Sequence, residues 1–157
     1  MKALTLALAG MLAAGAAHAA LPPADFVKKA GASDLYEISA SKLETASKNA
    51  KVRAFATMMI KDHQTSTAAV KAAAIKSGLK PTPPALEPKQ AADLAALKQA
   101  SGAARDTLYI AQQKAAHQEA LALHKDNAAG SSAPALKAAS AKIVPVVEHH
   151  LQELSGL

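Results

Sequence analysis

Side chains that can bind metals recur along this chain at positions where a helix would turn them inward. In the stretch 52–70, a helical period places His63 on the same face as the apolar Met59 and Val70. A buried imidazole needs a partner for each ring nitrogen. The same arithmetic gives one inward polar residue in each of four predicted helices: Glu37, His63, His117 and His150. Each lies well inside its helix, so an antiparallel bundle would bring all four to a similar depth.

Three imidazoles and a carboxylate form a ligand set that suits a transition metal. Neutral histidine and glutamate bind Zn, Cu, Fe or Ni, and Met59 would add the soft donor that Cu(I) favours. Asp62 and Asp106 are candidates to orient the imidazoles through their N–H groups. His124 shares the predicted face of His117 and extends the candidate site toward the end of the helix. The sequence therefore predicts a metal site in a helical core, with the identity of the metal left open.

Each of these residues also has an interpretation that needs no metal. Glu37 and the three histidines can satisfy one another as a buried network that fixes helix register. Asp62 can pair with a lysine such as Lys61, and Asp106 lies early in its helix, where a carboxylate favours the dipole. His124 near a helix C-terminus is explained in the same way, and methionines commonly fill cores. Both interpretations stay open at the level of the sequence.

The pattern of apolar residues, caps and breakers predicts four long helices and one short helix. These span about 25–48, 51–77, 89–100, 103–127 and 132–154. Asp25 and Ser132 are the predicted N-caps, and Gly78 is a suitable residue to follow the end of the second helix. Gly31 is a weak point in the first helix, and Pro145 should kink the last one.

A proline-rich segment separates the second helix from the short one. It covers residues 78–88 and contains Pro81, Pro83, Pro84 and Pro88. Such a segment is not helical, and we expect it to cross the surface in an extended form. A long connection between two helical hairpins is typical of the ferritin-like four-helix bundle. We therefore expect an all-α, ferritin-like fold in which residues 20–157 form one domain.

Composition and charge exclude several classes of function. The chain has 157 residues and no cysteine, so disulfides and thiolate metal sites are impossible. Its net charge is +6, but the lysines are scattered and have no aromatic residues between them, so we expect no nucleic-acid partner. No Gly-rich phosphate loop or nucleophile–base pair is apparent. Neither a protein partner nor an oligomeric state can be read from the sequence.

The first 19 residues have the features of an export signal. Met1-Lys2 gives a positive start, an apolar stretch follows, and Ala17-His18-Ala19 matches a cleavage site. The apolar run is too short for a confident membrane span. We expect cleavage near Ala20, a periplasmic location, and no membrane span in the mature chain.

Several short motifs together resemble a known family. They are Phe26-Val27, Glu37-Ile38, Val52 to Ala56 with Met59, Asp62-His63, Ser101-Gly102 with Asp106 and Tyr109, His117, Val144-Pro145 and His150-Leu151. In this set the chain resembles the bacterial envelope family catalogued as domain of unknown function 4142, often labelled a predicted outer membrane protein. The resemblance implies a ferritin-like fold and an envelope location, and it adds Tyr109 to the candidate neighbours of the site. Where the family usually has an aromatic residue, this chain has Arg105.

Three functional hypotheses follow. The first is a periplasmic metal-binding bundle without turnover, with a role in envelope stress response. The second is a metal-free structural or interaction module with a buried His/Glu network. The third is a ferritin-like oxidoreductase, but the usual di-metal centre needs two Glu-x-x-His motifs, and this chain has neither. We therefore lean away from an enzyme.

Overall fold

The computed structural model describes residues 20–157, so the expected signal peptide lies outside the described residues. Within this range the chain forms five α-helices and no strand, which confirms the all-α prediction. The helices are α1 (Pro23–Glu44), α2 (Ala50–Lys76), α3 (Pro88–Gln99), α4 (Gly102–Gly130) and α5 (Pro134–Ser155). None of the helices in residues 20–157 combines the length and apolarity that crossing a membrane requires.

Prolines set two of the helix starts, and they overturn two predicted N-caps. α1 begins at Pro23 with Pro22 as its N-cap, so Asp25 lies in the first turn instead of capping it. α5 begins at Pro134, and its N-cap is Ala133, not Ser132. Proline is favoured at the first helical position because its φ is already helical and its missing N–H would have no partner there.

Two further boundaries differ from the prediction. α1 passes through Gly31 without a break and ends at Glu44, before the predicted residue 48. α4 continues to Gly130, although a turn was predicted from residue 127. The alanines at 128 and 129 are strong helix formers, so they extend α4 by a few residues.

The end of α2 follows the prediction closely. Gly78 has a φ of 77°, in the left-handed region that favours glycine. The Gly78 N–H donates to the Ile75 carbonyl and the Leu79 N–H donates to the Ala74 carbonyl, both at 3.0 Å. These are the two hydrogen bonds of a Schellman motif, which satisfies carbonyls that the helix end would leave free.

The four long helices pack in a closed cycle. α1 packs against α2 and α4, while α5 packs against the other sides of α2 and α4. The short α3 lies against α1 and α4. Residues 77–87 contain no helix and pass close to α1, since a Cβ built at Gly31 would lie 3.2 Å from the Pro84 Cβ. The absence of a side chain at Gly31 therefore lets this segment approach α1.

The core consists of two apolar clusters separated by polar side chains. One cluster includes Phe26, Val70 and Leu136, and the other includes Phe55, Met59 and Leu154. Between them, each long helix contributes buried polar groups: Asp34 and Glu37, His63, Gln113 and His117, and His150. These residues form one polar layer across the bundle, and further buried polar side chains, such as Glu44 and His124, lie outside it.

Candidate metal centre

Three histidines from three helices meet in the polar layer. His63 of α2, His117 of α4 and His150 of α5 have ring centroids 5.3 to 5.6 Å apart. All three are buried, with at most 4% of each residue exposed. One ring nitrogen from each lies within 4.8 Å of one from both others. This is the spacing expected of side chains that can share one ion.

Each of the three imidazoles has one nitrogen next to an oxygen acceptor. His117 Nδ1 donates to the Gln113 carbonyl at 2.8 Å, and His150 Nε2 donates to Asp62 Oδ2 at 3.1 Å. His63 Nδ1 donates to Asp34 Oδ1 at 2.8 Å. Because carbonyls and ionised carboxylates only accept, the hydrogen of each imidazole is assigned to these outer nitrogens. This leaves the inner nitrogens of His117 and His150 as lone pairs in the neutral rings.

The inner nitrogens are poorly satisfied by the protein itself. His117 Nε2 and His150 Nδ1 lie 3.2 Å apart, and a hydrogen bond between them would require one extra proton. Burial lowers the pKa of both rings, that of His150 to about 4, so the extra proton is disfavoured at neutral pH. His63 Nε2 is buried and has no hydrogen-bond partner among the described residues. A shared cation would satisfy all three nitrogens.

Two buried carboxylates of α1 approach His63 from the opposite side. Glu37 Oε2 lies 2.8 Å from His63 Nδ1 without hydrogen-bond geometry, and Glu37 Oε1 lies 3.7 Å from His117 Nδ1. Burial would raise the pKa of Glu37, but His63 and His117 lower it to about 2. Burial would lower the pKa of His63, but Glu37 and Asp34 raise it to about 10. At neutral pH, without a metal, one imidazolium therefore faces two carboxylates.

The structure brings together the four residues predicted as metal ligands. Glu37, His63, His117 and His150 are all buried in one layer. The Glu37 carboxylate oxygens lie 2.8 Å from His63 Nδ1 and 3.7 Å from His117 Nδ1. Direct ligation by Glu37 stays a prediction. Asp62 contacts His150, as expected for a group that orients an imidazole.

Four of the other candidates contact different groups. Asp106 accepts from Ser47 Oγ at 2.8 Å, and it lies 11 positions before His117, about 16 Å along a helix. Asp106 therefore lies at a different depth from His117, and its role in orienting an imidazole stays a prediction. The remaining three have other contacts, and their roles at the site stay predictions: Tyr109 shares a hydrogen bond with Ser41, His124 shares one with Ser140, and Met59 packs in an apolar cluster.

Sequence reasoning missed Asp34. Its Oδ1 accepts from His63 Nδ1, and its Oδ2 accepts from Thr67 Oγ1 at 2.8 Å. The available signal was its position three residues before Glu37, since side chains at i and i+3 lie on neighbouring parts of one helix face. The Gln113 carbonyl was missed because backbone acceptors leave no trace in a sequence.

The fold and the site define a helical bundle with a buried histidine cluster, and comparison with known proteins gives its family. The chain belongs to the family described as Domain of unknown function (DUF4142), whose model matches residues 9–157. Its fold is similar to the crystal structure of a DUF305 fragment from Deinococcus radiodurans, with 17% identity and a TM-score of 0.74, covering 88% of this chain and 97% of that one. No curated protein matches the chain.

Proposed function

We propose that this protein binds one transition-metal ion between His63, His117 and His150. The observation that carries this proposal is the 3.2 Å separation of His117 Nε2 and His150 Nδ1, two nitrogens whose hydrogens are assigned to the far sides of their rings. Two nitrogen ligands at about 2.05 Å from a tetrahedral ion are about 3.3 Å apart. The two nitrogens are therefore already spaced as ligands of a Zn²⁺-like ion.

The partners on the outer side of the rings support the same proposal. Histidines that bind metals usually donate their other N–H to a carboxylate or a backbone carbonyl, which fixes ring orientation and tautomer. Asp34, Asp62 and the Gln113 carbonyl hold these positions here. One divalent ion would also balance the charges of the two buried carboxylates, Asp34 and Glu37. Nitrogen ligands suit Zn, Cu, Fe or Ni.

Location and finer architecture complete the proposal. The composition of residues 1–19 supports export to a periplasm, where the bundle would bind metal without turnover and contribute to envelope stress response. A fractionation experiment with a mutated Ala17-His18-Ala19 site would test export.

The closed cycle of four helices, with residues 77–87 passing over α1, supports a ferritin-like arrangement in which this segment is the crossover.

Elemental analysis of exported protein beside two variants tests the metal site. We expect about one transition metal per wild-type chain and its loss in His117→Ala. His149→Ala is the matched control, because His149 is exposed and adjacent to His150. In Zn²⁺ titrations at about 100 times Kd, the wild type should gain about 2.7 kcal/mol of stability, an increase absent from His117→Ala.

The contrary result has a clear meaning. A folded wild type that carries no metal and takes up none of Zn²⁺, Cu²⁺, Ni²⁺ or Fe²⁺ would contradict the proposal. The histidines and Glu37 would then form a structural network, and His117→Ala would lower stability equally with and without added metal. The search for a role would move to protein partners.

A further inference from the structure

His63 belongs to two groups of metal-binding side chains. It forms one group with His117 and His150, and its buried Nε2 atom has no hydrogen-bond partner among the described residues and is therefore available to that group. Asp34, Glu37 and His63 form a second group whose ligand atoms also lie within 4.8 Å of one another. In this second group, one oxygen of each carboxylate lies 2.8 Å from His63 Nδ1. Nδ1 carries a single hydrogen, which Asp34 accepts, so the Glu37 carboxylate is left without a hydrogen bond.

The second group has the geometry and chemistry of an oxygen-rich ion position. Neighbouring ligands at 2.0 to 2.1 Å around an octahedral ion are about 2.9 Å apart, close to the 2.8 Å measured here. Two carboxylates and one imidazole suit Mn²⁺ better than the three-histidine set does. Thr67 holds the far oxygen of Asp34, so this carboxylate is already oriented.

One neutral imidazole can serve only one of the two positions at a time. An ion at the three histidines takes the Nε2 lone pair of His63, and the hydrogen then stays on Nδ1, facing Asp34. An ion at Asp34 and Glu37 takes the Nδ1 lone pair, and the hydrogen moves to Nε2. The tautomer of His63 therefore differs between the two states.

The charge of the buried side chains also disfavours two divalent ions bound at the same time. One divalent ion in either position neutralises Asp34 and Glu37, which are 4% and 0% exposed. A second divalent ion would leave two positive charges that Asp34 and Glu37 do not balance, and Asp62, whose side chain is 30% exposed, would offset one of them. Uncompensated buried charge is strongly unfavourable.

We propose that His63 is the shared ligand of two mutually exclusive ion positions: a nitrogen-rich one for Zn²⁺ or Cu²⁺, and an oxygen-rich one at Asp34 and Glu37 for Mn²⁺. The nitrogen-rich position is the one in the proposed function, and the inference rests on it. The bundle thus accepts ions of two chemical classes, one ion per chain.

Mn²⁺ binding followed by electron paramagnetic resonance, with Zn²⁺ as competitor, tests this inference. The wild-type chain should bind one Mn²⁺ and release it as one Zn²⁺ is added. Asp34→Asn should weaken Mn²⁺ binding at least tenfold and keep stoichiometric Zn²⁺, since the amide oxygen still accepts from His63 Nδ1. His117→Ala should lose stoichiometric Zn²⁺ binding and keep its affinity for Mn²⁺. Glu44→Gln is the matched control, a buried glutamate of α1 outside both groups, and should leave both ions unchanged.

The outcomes separate the two proposals. Zn²⁺ binding without Mn²⁺ binding, equal Mn²⁺ affinity in Asp34→Asn, or simultaneous binding of both ions would each overturn the shared-ligand inference and leave the three-histidine site standing. Failure to bind either ion would overturn the proposed function as well. If circular dichroism shows that Asp34→Asn is unfolded, Glu37→Gln provides the same test, because it removes the other carboxylate of the oxygen-rich position.

Discussion

Among the individual residues, His63 has the most unusual surroundings. Two carboxylate oxygens lie 2.8 Å from its Nδ1 atom, while its Nε2 atom has no partner in the described part of the chain. Burial lowers the pKa of this ring, but Glu37 and Asp34 outweigh burial and raise it to about 10. At neutral pH the metal-free ring therefore holds a proton that a metal ion must displace.

Zn²⁺ binding should release about one proton near pH 7. The proton comes from His63, since burial keeps His117 and His150 neutral. The apparent affinity should then rise about tenfold per pH unit from pH 7 to 9, because the fraction of deprotonated His63 rises at that rate. Calorimetry in two buffers of different ionisation enthalpy measures the release. An affinity independent of pH over this range would contradict the assigned protonation of His63.

The sequence allowed the polar residues that point inward to be predicted, but not all of their partners. His63, His117, His150 and Glu37 could be predicted because helical periodicity alone determines which side faces the core. Helical periodicity places Asp106 on the same face as His117, but Asp106 lies near the start of α4, 11 positions before His117, and accepts a hydrogen bond from Ser47. Asp34 was missed because the packing of α1 against α2, which brings it to His63, depends on tertiary contacts.

At the scale of the helices, the residue types near each boundary predicted the end of α2 correctly but not the starts of α1 and α5. Gly78 ends α2 because a left-handed residue is needed there, and this requirement is visible in the sequence. The predicted starts of α1 and α5 were wrong because a favourable N-cap residue and a proline lie within three positions of each other, and either one can mark the start of a helix. In both cases the helix starts at the proline and uses the preceding residue as N-cap.

Gly78→Ala should destabilise the chain by about 1 kcal/mol, because a side chain raises the energy of the left-handed conformation. Nothing lies within 4 Å of the new Cβ, so the cost comes from the backbone alone. A fall in Tm of roughly 2 to 4 °C by scanning calorimetry is expected for a protein of this size. Gly156→Ala is the control, with φ of −96°, and should be nearly neutral. Equal effects of the two changes would argue against the Schellman assignment.

At the scale of the whole molecule, we expect stability to depend on pH through Glu44, a buried carboxylate outside the two candidate ion positions. Glu44 is 1% exposed and lies 3.3 Å from Arg105 Nε. Burial and the neighbouring Asp106 raise its pKa to about 7, although Arg105 opposes the shift. Between about pH 4.5 and 7 the folded chain therefore holds a proton that the unfolded chain releases, and this group's stabilisation declines as pH rises.

Glu44→Gln should remove this part of the pH dependence in the metal-free protein. The amide stays neutral in both states, so the variant should gain stability relative to wild type as pH rises from 5 to 8. Urea unfolding at four pH values measures the difference, which isolates Glu44 from the titrations of Glu37 and His63. The exposed Glu119→Gln provides the control. A constant difference between Glu44→Gln and wild type would show that Glu44 is ionised throughout.

The contact between Asp62 and His150 also has a kinetic consequence. The Asp62 side chain is 30% exposed and touches a ring that is 1% exposed, so Asp62 links the buried histidine cluster to the surface at the boundary between α2 and α5. Pro145 lies inside α5, five residues before His150, and cannot donate to the carbonyl of Ala141. Because α5 lacks one backbone hydrogen bond here, we expect a bound ion to leave the buried cluster when this boundary opens, and the opening rate to set how long the ion stays bound. Chelators in excess should remove the ion at a rate that does not depend on their concentration.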